Sequence, residues 1–163
     1  MTSIRENVMA NVKTTLMGIA PDGVPATGYT TPIKQVWRWG LDSSQPVYPY
    51  LVIGDTDEKY TVRENRLYVR TLTVNVEGYA KIEFTDDDTV AAYASAFIAD
   101  IEKAIVADPR RGTSNGCPNA VDTILVSNEV FVKQGAAPLL FVGLIFEVTY
   151  RTRINDPAYQ TPA

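Results

Sequence analysis

Residues 86–108, DDDTVAAYASAFIADIEKAIVAD, restrict what this chain can fold into more than any other stretch. Val90, Ala94, Phe97, Ile98, Ile101 and Ile105 recur at three- and four-residue spacing, so on a helix they draw a single apolar stripe. Asp86, Asp87 and Asp88 suit the start of that helix, where carboxylates cap exposed amides and match the positive end of the dipole. Pro109 stops it, because proline pushes the preceding residue out of helical geometry. A helix with one apolar face needs a surface to lie on. Strand-like segments stand on both sides of it, residues 67–82 before and residues 121–133 and 139–153 after, so the spacing predicts a long helix laid across a sheet.

Ahead of it, Ser3 and Glu6 have the spacing of a capping box, and Ile4, Val8, Val12 and Leu16 follow at four-residue steps. A first helix is expected over residues 3–17, ending near Gly18. Residues 20–32, rich in proline, threonine and glycine, read as a crossing loop. Residues 33–39 (IKQVWRW) suit a short strand, residues 42–49 a turn-rich connection, and residues 50–53 a further strand. Asp55, Asp57, Glu58 and Glu64 lie close together after that strand and read as an exposed, charged hairpin tip, whose charges set partner choice rather than stability. Residues 109–119 (PRRGTSNGCPN) read as a turn cluster, and residues 134–138 as the connection of a hairpin.

The last strand is unusual. In LLFVGLIFEV (residues 139–148), Leu140, Val142, Leu144, Phe146 and Val148 point one way, and Phe141 and Ile145 the other. A strand apolar on both faces is covered on both. The long helix covers one, which leaves the other to the first helix or to a neighbouring subunit. The polar segment 155–163 reads as an extended tail beyond a domain spanning residues 1–154. The expected class is α+β: one domain, a mixed but mostly antiparallel sheet of about five strands, an N-terminal helix and one long central helix.

Composition bounds the chemistry. A chain of 163 residues is long enough to bury a substantial core as one domain. Its net charge of −4 provides no basic footprint for gripping a phosphate backbone. No apolar run reaches the length of a membrane span, and the N-terminus lacks a signal-type hydrophobic segment, so cytoplasmic synthesis without membrane association is expected. One cysteine, Cys117, permits no internal disulfide and no cysteine-cluster metal site. The absence of histidine removes the usual neutral-pH base and the commonest transition-metal ligand. Neither catalytic residues nor metal ligands nor cofactors are expected.

The Asp86–Asp88 run could form half of a hard-cation site, but helix capping already explains it. Arg110 and Arg111 could clamp an anion; the commoner reading is a solvated turn near the negative end of a helix. Trp37 and Trp39, two apart, share one face of a strand, either as core or as an exposed interface pair. The nine tyrosines trace no stacking ladder in sequence order. The candidate interface therefore comprises Trp37, Trp39, Asp55, Asp57, Glu58, Arg110, Arg111, Phe141 and Ile145.

As an ordered whole the chain resembles the tail terminator proteins of long-tailed bacteriophages. The resemblance lies in the layout, with YASAFIADIEKAIVADPRRG (residues 93–112) and the closing FEVTYRTRINDP (residues 146–157) as its nearest segments. It covers most of the chain but carries no chemically specific motif, so no functional residue transfers individually. It implies a non-enzymatic homo-oligomeric ring, usually a hexamer, that caps the tail tube, stops its polymerisation and joins the head connector. The implied partners are further copies of itself, the tube protein and the connector protein. DNA would pass through without specific binding, and the ring would reside in the virion tail after assembly in the host cytoplasm. Other head–tail connector or tail-completion rings share this layout. The alternatives of a different class are a monomeric adaptor using the Trp37/Trp39 face and a small-ligand domain using Asp86–Asp88 and Glu102.

Overall fold

The computed structural model describes residues 2–39, 46–63, 67–83, 86–114, 116–133, 138–154 and 156–160. The predicted connection over 42–45, Glu64 of the predicted tip and residues 134–137 of the last loop lie outside them. In chain order the elements are α1 (Ile4–Met17), β1 (Gln35–Arg38), β2 (Tyr50–Arg63), β3 (Leu67–Lys81), α2 (Asp87–Val106), β4 (Thr113–Ser114), β5 (Cys117–Pro118), β6 (Asp122–Lys133), β7 (Leu139–Arg153) and β8 (Asp156–Gln160). The main sheet has the order β1-β2-β3-β7-β6, with β8 added beside the end of β7. β1 runs parallel to β2, and every other pair is antiparallel. This is the mixed α+β architecture that the alternation and the two amphipathic stripes predict. Among the described residues no helix is long and apolar enough to cross a membrane.

Both helices begin as their sequences dictate. The Ser3 hydroxyl accepts a hydrogen bond from the Glu6 amide at 3.2 Å. The Asp86 carboxylate accepts from the Asp88 and Thr89 amides at 3.1 and 3.3 Å, and hydrogen bonding by the Thr89 side chain, followed by these amides, holds its pKa below the ordinary value. Ile4, Val8, Val12 and Leu16 of α1 and Ala94, Phe97, Ile101 and Ile105 of α2 are all buried.

The helices share one face of the sheet. They touch each other, and their stripes join Leu51, Ile53, Val74, Val76, Leu140, Val142, Leu144 and Phe146 in a single core. Of the two covers expected for the opposite side of β7, the first helix or a neighbouring subunit, the first helix is therefore ruled out. Two helices side by side span the central strands, and the polar residues of β3 on its other side (Thr71, Thr73, Asn75 and Glu77) need no cover.

Phe97 reaches the sheet because β3 carries Gly78 beneath it. A Cβ at Gly78 would stand 2.7 Å from both Phe97 Cζ and Val142 Cγ2, so only glycine leaves room for the ring. The crossing loop is tied to α2 by Asp100, a buried carboxylate accepting from Thr30 N at 2.9 Å, Thr30 Oγ1 at 2.9 Å and Thr31 N at 2.6 Å. Lys103 adds a bond to the Gly28 carbonyl at 2.7 Å. Asp100→Asn should lower the unfolding free energy by about 1.5–3 kcal/mol, because an uncharged amide cannot accept all three donors as well. Denaturant titration measures the loss; a change within 0.5 kcal/mol would show that the loop is held by other contacts.

Candidate assembly surface

The predicted acidic tip is not a tip. β2 continues as a strand through Asp55, Asp57 and Glu58 to Arg63, paired along its length with β3 across a bulge between Asp55 and Asp57. Asp55 faces the helices, is only 3% exposed, and accepts from Arg5 Nε at 2.5 Å and Arg38 Nη2 at 3.4 Å. Arg38 in turn donates to both carboxylate oxygens of Glu6 at 2.6 Å. This network bolts the first turn of α1 to β1 and β2. The bond to Glu6 is the largest of the effects that raise the Arg38 pKa above its ordinary value. Glu58 accepts from Arg70 at 2.6 Å and from the buried hydroxyl of Tyr150, whose pKa is pushed up chiefly by burial and further by this bond. Asp57 alone of the three is exposed. Spacing in a sequence does not reveal that a carboxylate's partner lies fifty residues away on another element.

The arginine pair also separates. Arg110 is exposed, but Arg111 is fully buried in a left-handed conformation (φ 53°) and donates to the Ile105 carbonyl, closing the C-terminal end of α2. Desolvation lowers its pKa. Asn119 Nδ2 donates to the Arg111 carbonyl at 2.7 Å, and the Gly112 amide to Asp108 at 2.6 Å, so the turn cluster is a fixed structural knot carrying the small β4–β5 hairpin. Cys117 within it is a free, half-buried thiol. Asp86 is the cap and Asp87 and Asp88 lie in the first turn of α2, and among the described residues no histidine, cysteine or acidic side chains cluster as metal ligands. Glu102 is half-buried on α2.

The face of the sheet away from the helices, which no helix or strand covers among the described residues, carries the remaining candidates. Phe141 and Ile145 point there, opposite to the helix side, as the alternation requires. Trp37 lies on the same face. Trp39 follows the end of β1 with φ 63°, and its ring packs over Gly54 on that face at van der Waals distance. The two tryptophans thus share a side of the sheet, although the strand stops between them.

What the sequence order conceals is an unbroken aromatic row across five strands. Trp37 on β1 meets Tyr50 on β2 with ring centroids 4.7 Å apart. Tyr50 stacks on Tyr79 of β3 at 4.9 Å with a 15° interplanar angle. Tyr79 meets Phe141 of β7 edge-on at 5.3 Å, and Phe141 meets Phe131 of β6 at 4.6 Å. Tyr48 joins at 5.2 Å from Tyr50. Cross-strand aromatic pairs of this kind contribute about 0.5–1.5 kcal/mol each beyond area burial, so the row pins the register of the sheet as well as decorating it. The Tyr79 hydroxyl donates to Glu77 at 2.7 Å, and burial together with that bond raises its pKa. Beside the row the floor drops at Gly143, flanked in register by Glu77 and Glu129, to form a shallow groove of about 230 Å³ bordered by Ile145. Ile145 is 38% exposed. The sequence signal for the row was present in the alternation of each strand; the missing information was strand order.

No protein-family model matches the chain, and no curated protein matches it.

Proposed function

We propose that this chain is a structural assembly subunit of the tail terminator kind, working as a homo-oligomeric ring that caps a bacteriophage tail tube and meets the head connector. The reading rests above all on the uncovered sheet face, where a continuous aromatic row borders an exposed Ile145. Aromatic side chains gathered beside an exposed aliphatic one are what protein contacts are enriched in. The layout of two amphipathic helices and a mixed sheet supports it through the resemblance. In this reading the face is buried between subunits, and Trp37, Tyr79, Phe141 and Ile145 form its centre. Arg111, Asp55 and Glu58 belong to the fold; Asp57, Arg110 and Trp39 are available to partners.

The test is Ile145→Asp. Being partly exposed, the site should accept the carboxylate with little loss of stability, while a contact surface carrying one new unpaired charge per subunit should not close. The variant is expected to keep the wild-type circular dichroism and melting profile but lose the ring, as read from native mass or negative-stain images taken in the presence of tail tubes. Rings formed normally by the variant would remove this face from the assembly.

A further inference from the structure

The sheet ends in an edge that carries its own complement. β6 is a twelve-residue edge strand paired on one side with β7, and among the described residues no strand covers its other side. The opposite edge, β1, is only four residues long. Proteins ordinarily blunt long edges with proline, short length or repeated charge. β6 contains no proline, and Ile124, Val126, Val130, Phe131 and Val132 are all exposed along it, on both faces of the strand. Its exposed end residues have opposite charge, Asp122 at the start and Lys133 at the finish.

We propose that β6 pairs antiparallel with β6 of a second copy of this chain, about a two-fold axis at Asn128. In that register Asp122 faces Lys133 of the second copy, Thr123 faces Val132, Ile124 faces Phe131, Leu125 faces Val130, Ser127 faces Glu129 and Asn128 faces its own counterpart, with Val126 of each copy left over as the bulge residue. The bulge between Leu125 and Ser127 makes this possible. Asp122 and Ile124 lie opposite Thr149 and Glu147 of β7, and Phe131 and Lys133 lie opposite Phe141 and Leu139, all on the uncovered face. Thr123, Leu125, Val130 and Val132 lie opposite Val148, Phe146, Val142 and Leu140, on the helix face. A regular strand would put residues 122 and 133 on opposite faces; the extra residue at the bulge brings each pair onto the same one. A slip of two residues sets Asp122 against Phe131 and leaves Lys133 without an acid. The contact is isologous, unlike the heterologous contacts that close a cyclic ring, and does not depend on the ring reading.

Two measurements test it. In a Cys117→Ser background, mild oxidation of a mixture of the Ile124→Cys and Phe131→Cys proteins should yield the mixed disulfide-linked dimer. Neither protein alone should cross-link. In this register residue 131 lies six strand steps from its own copy, roughly 20 Å along the strand, far beyond the reach of a disulfide. Sedimentation equilibrium supplies the second. Asp122→Lys and Lys133→Asp should each weaken the dimer about tenfold by opposing like charges at both ends, and the double swap should restore it. Both sites are exposed, so these variants fold even if the cysteine pair does not. A protein monomeric throughout the accessible concentration range, cross-linking by either single cysteine alone, or a double swap as weak as the singles would each overturn the pairing.

Discussion

Phe97→Ala is expected to lower the unfolding free energy by about 3–5 kcal/mol, towards the upper end of that range. The ring is fully buried, and its Cζ fills the place of a side chain at Gly78. The cost of a truncation depends on how far the surroundings collapse into the gap. Here the nearest wall is the backbone of β3 at its glycine, held between β2 and β7 by ladder hydrogen bonds, so it has no side chain to move inward. Partial rescue by Gly78→Ala in the Phe97→Ala background would confirm the pairing. That methyl meets both the ring and Val142 Cγ2 at 2.7 Å in the wild type; in the variant only the Val142 contact remains, and rescue follows from the Val142 side chain turning into the cavity. A loss under 1 kcal/mol for Phe97→Ala, measured by denaturant titration, would refute the closed packing of α2 on the sheet.

The second large effect distinguishes two acids separated by one residue. Asp55→Lys is expected to cost about 3 kcal/mol, the lower part of the range for breaking a buried ion pair, because Arg5 and Arg38 remain partly exposed and recover some hydration. Asp57→Lys, at an exposed position across the bulge, should stay within about 0.5 kcal/mol of the wild type. The replaced Asp55 would leave three cationic charges (its own lysine, Arg5 and Arg38) against Glu6 alone, and the first turn of α1 would detach from β1 and β2. Thermal melts of the two single variants decide the matter: equal and small shifts would return both residues to a solvated loop. A charge reversal of Asp55, Asp57 and Glu58 together cannot serve as a clean probe of partner binding, since Glu58 also holds Arg70 and the Tyr150 hydroxyl.

Local features of this protein were legible in its residues because their causes are local. The capping residues Ser3 and Asp86, the two apolar stripes and the alternation of β3 and β7 each depend on neighbours within a few positions, and helix and strand periods translate them directly into buried faces. The two-sided apolar pattern of residues 139–148 predicts cover on both faces; within the subunit both helices lie on one face, and Ile145 on the other is 38% exposed. The tertiary structure decided everything that depends on which strands are neighbours. Asp55 and Glu58 looked like a solvated loop because Arg5, Arg38, Arg70 and Tyr150 reach them from other elements. Arg111 reads as a solvated turn residue, with an anion clamp as the alternative, and instead the end of α2 claims it. The aromatic row has one ring per strand on five strands, so it exists only once order and register are set. The placement of both helices on one side follows from the same cause: a stripe specifies that a helix is covered, while the twist and width of the sheet specify where it lies.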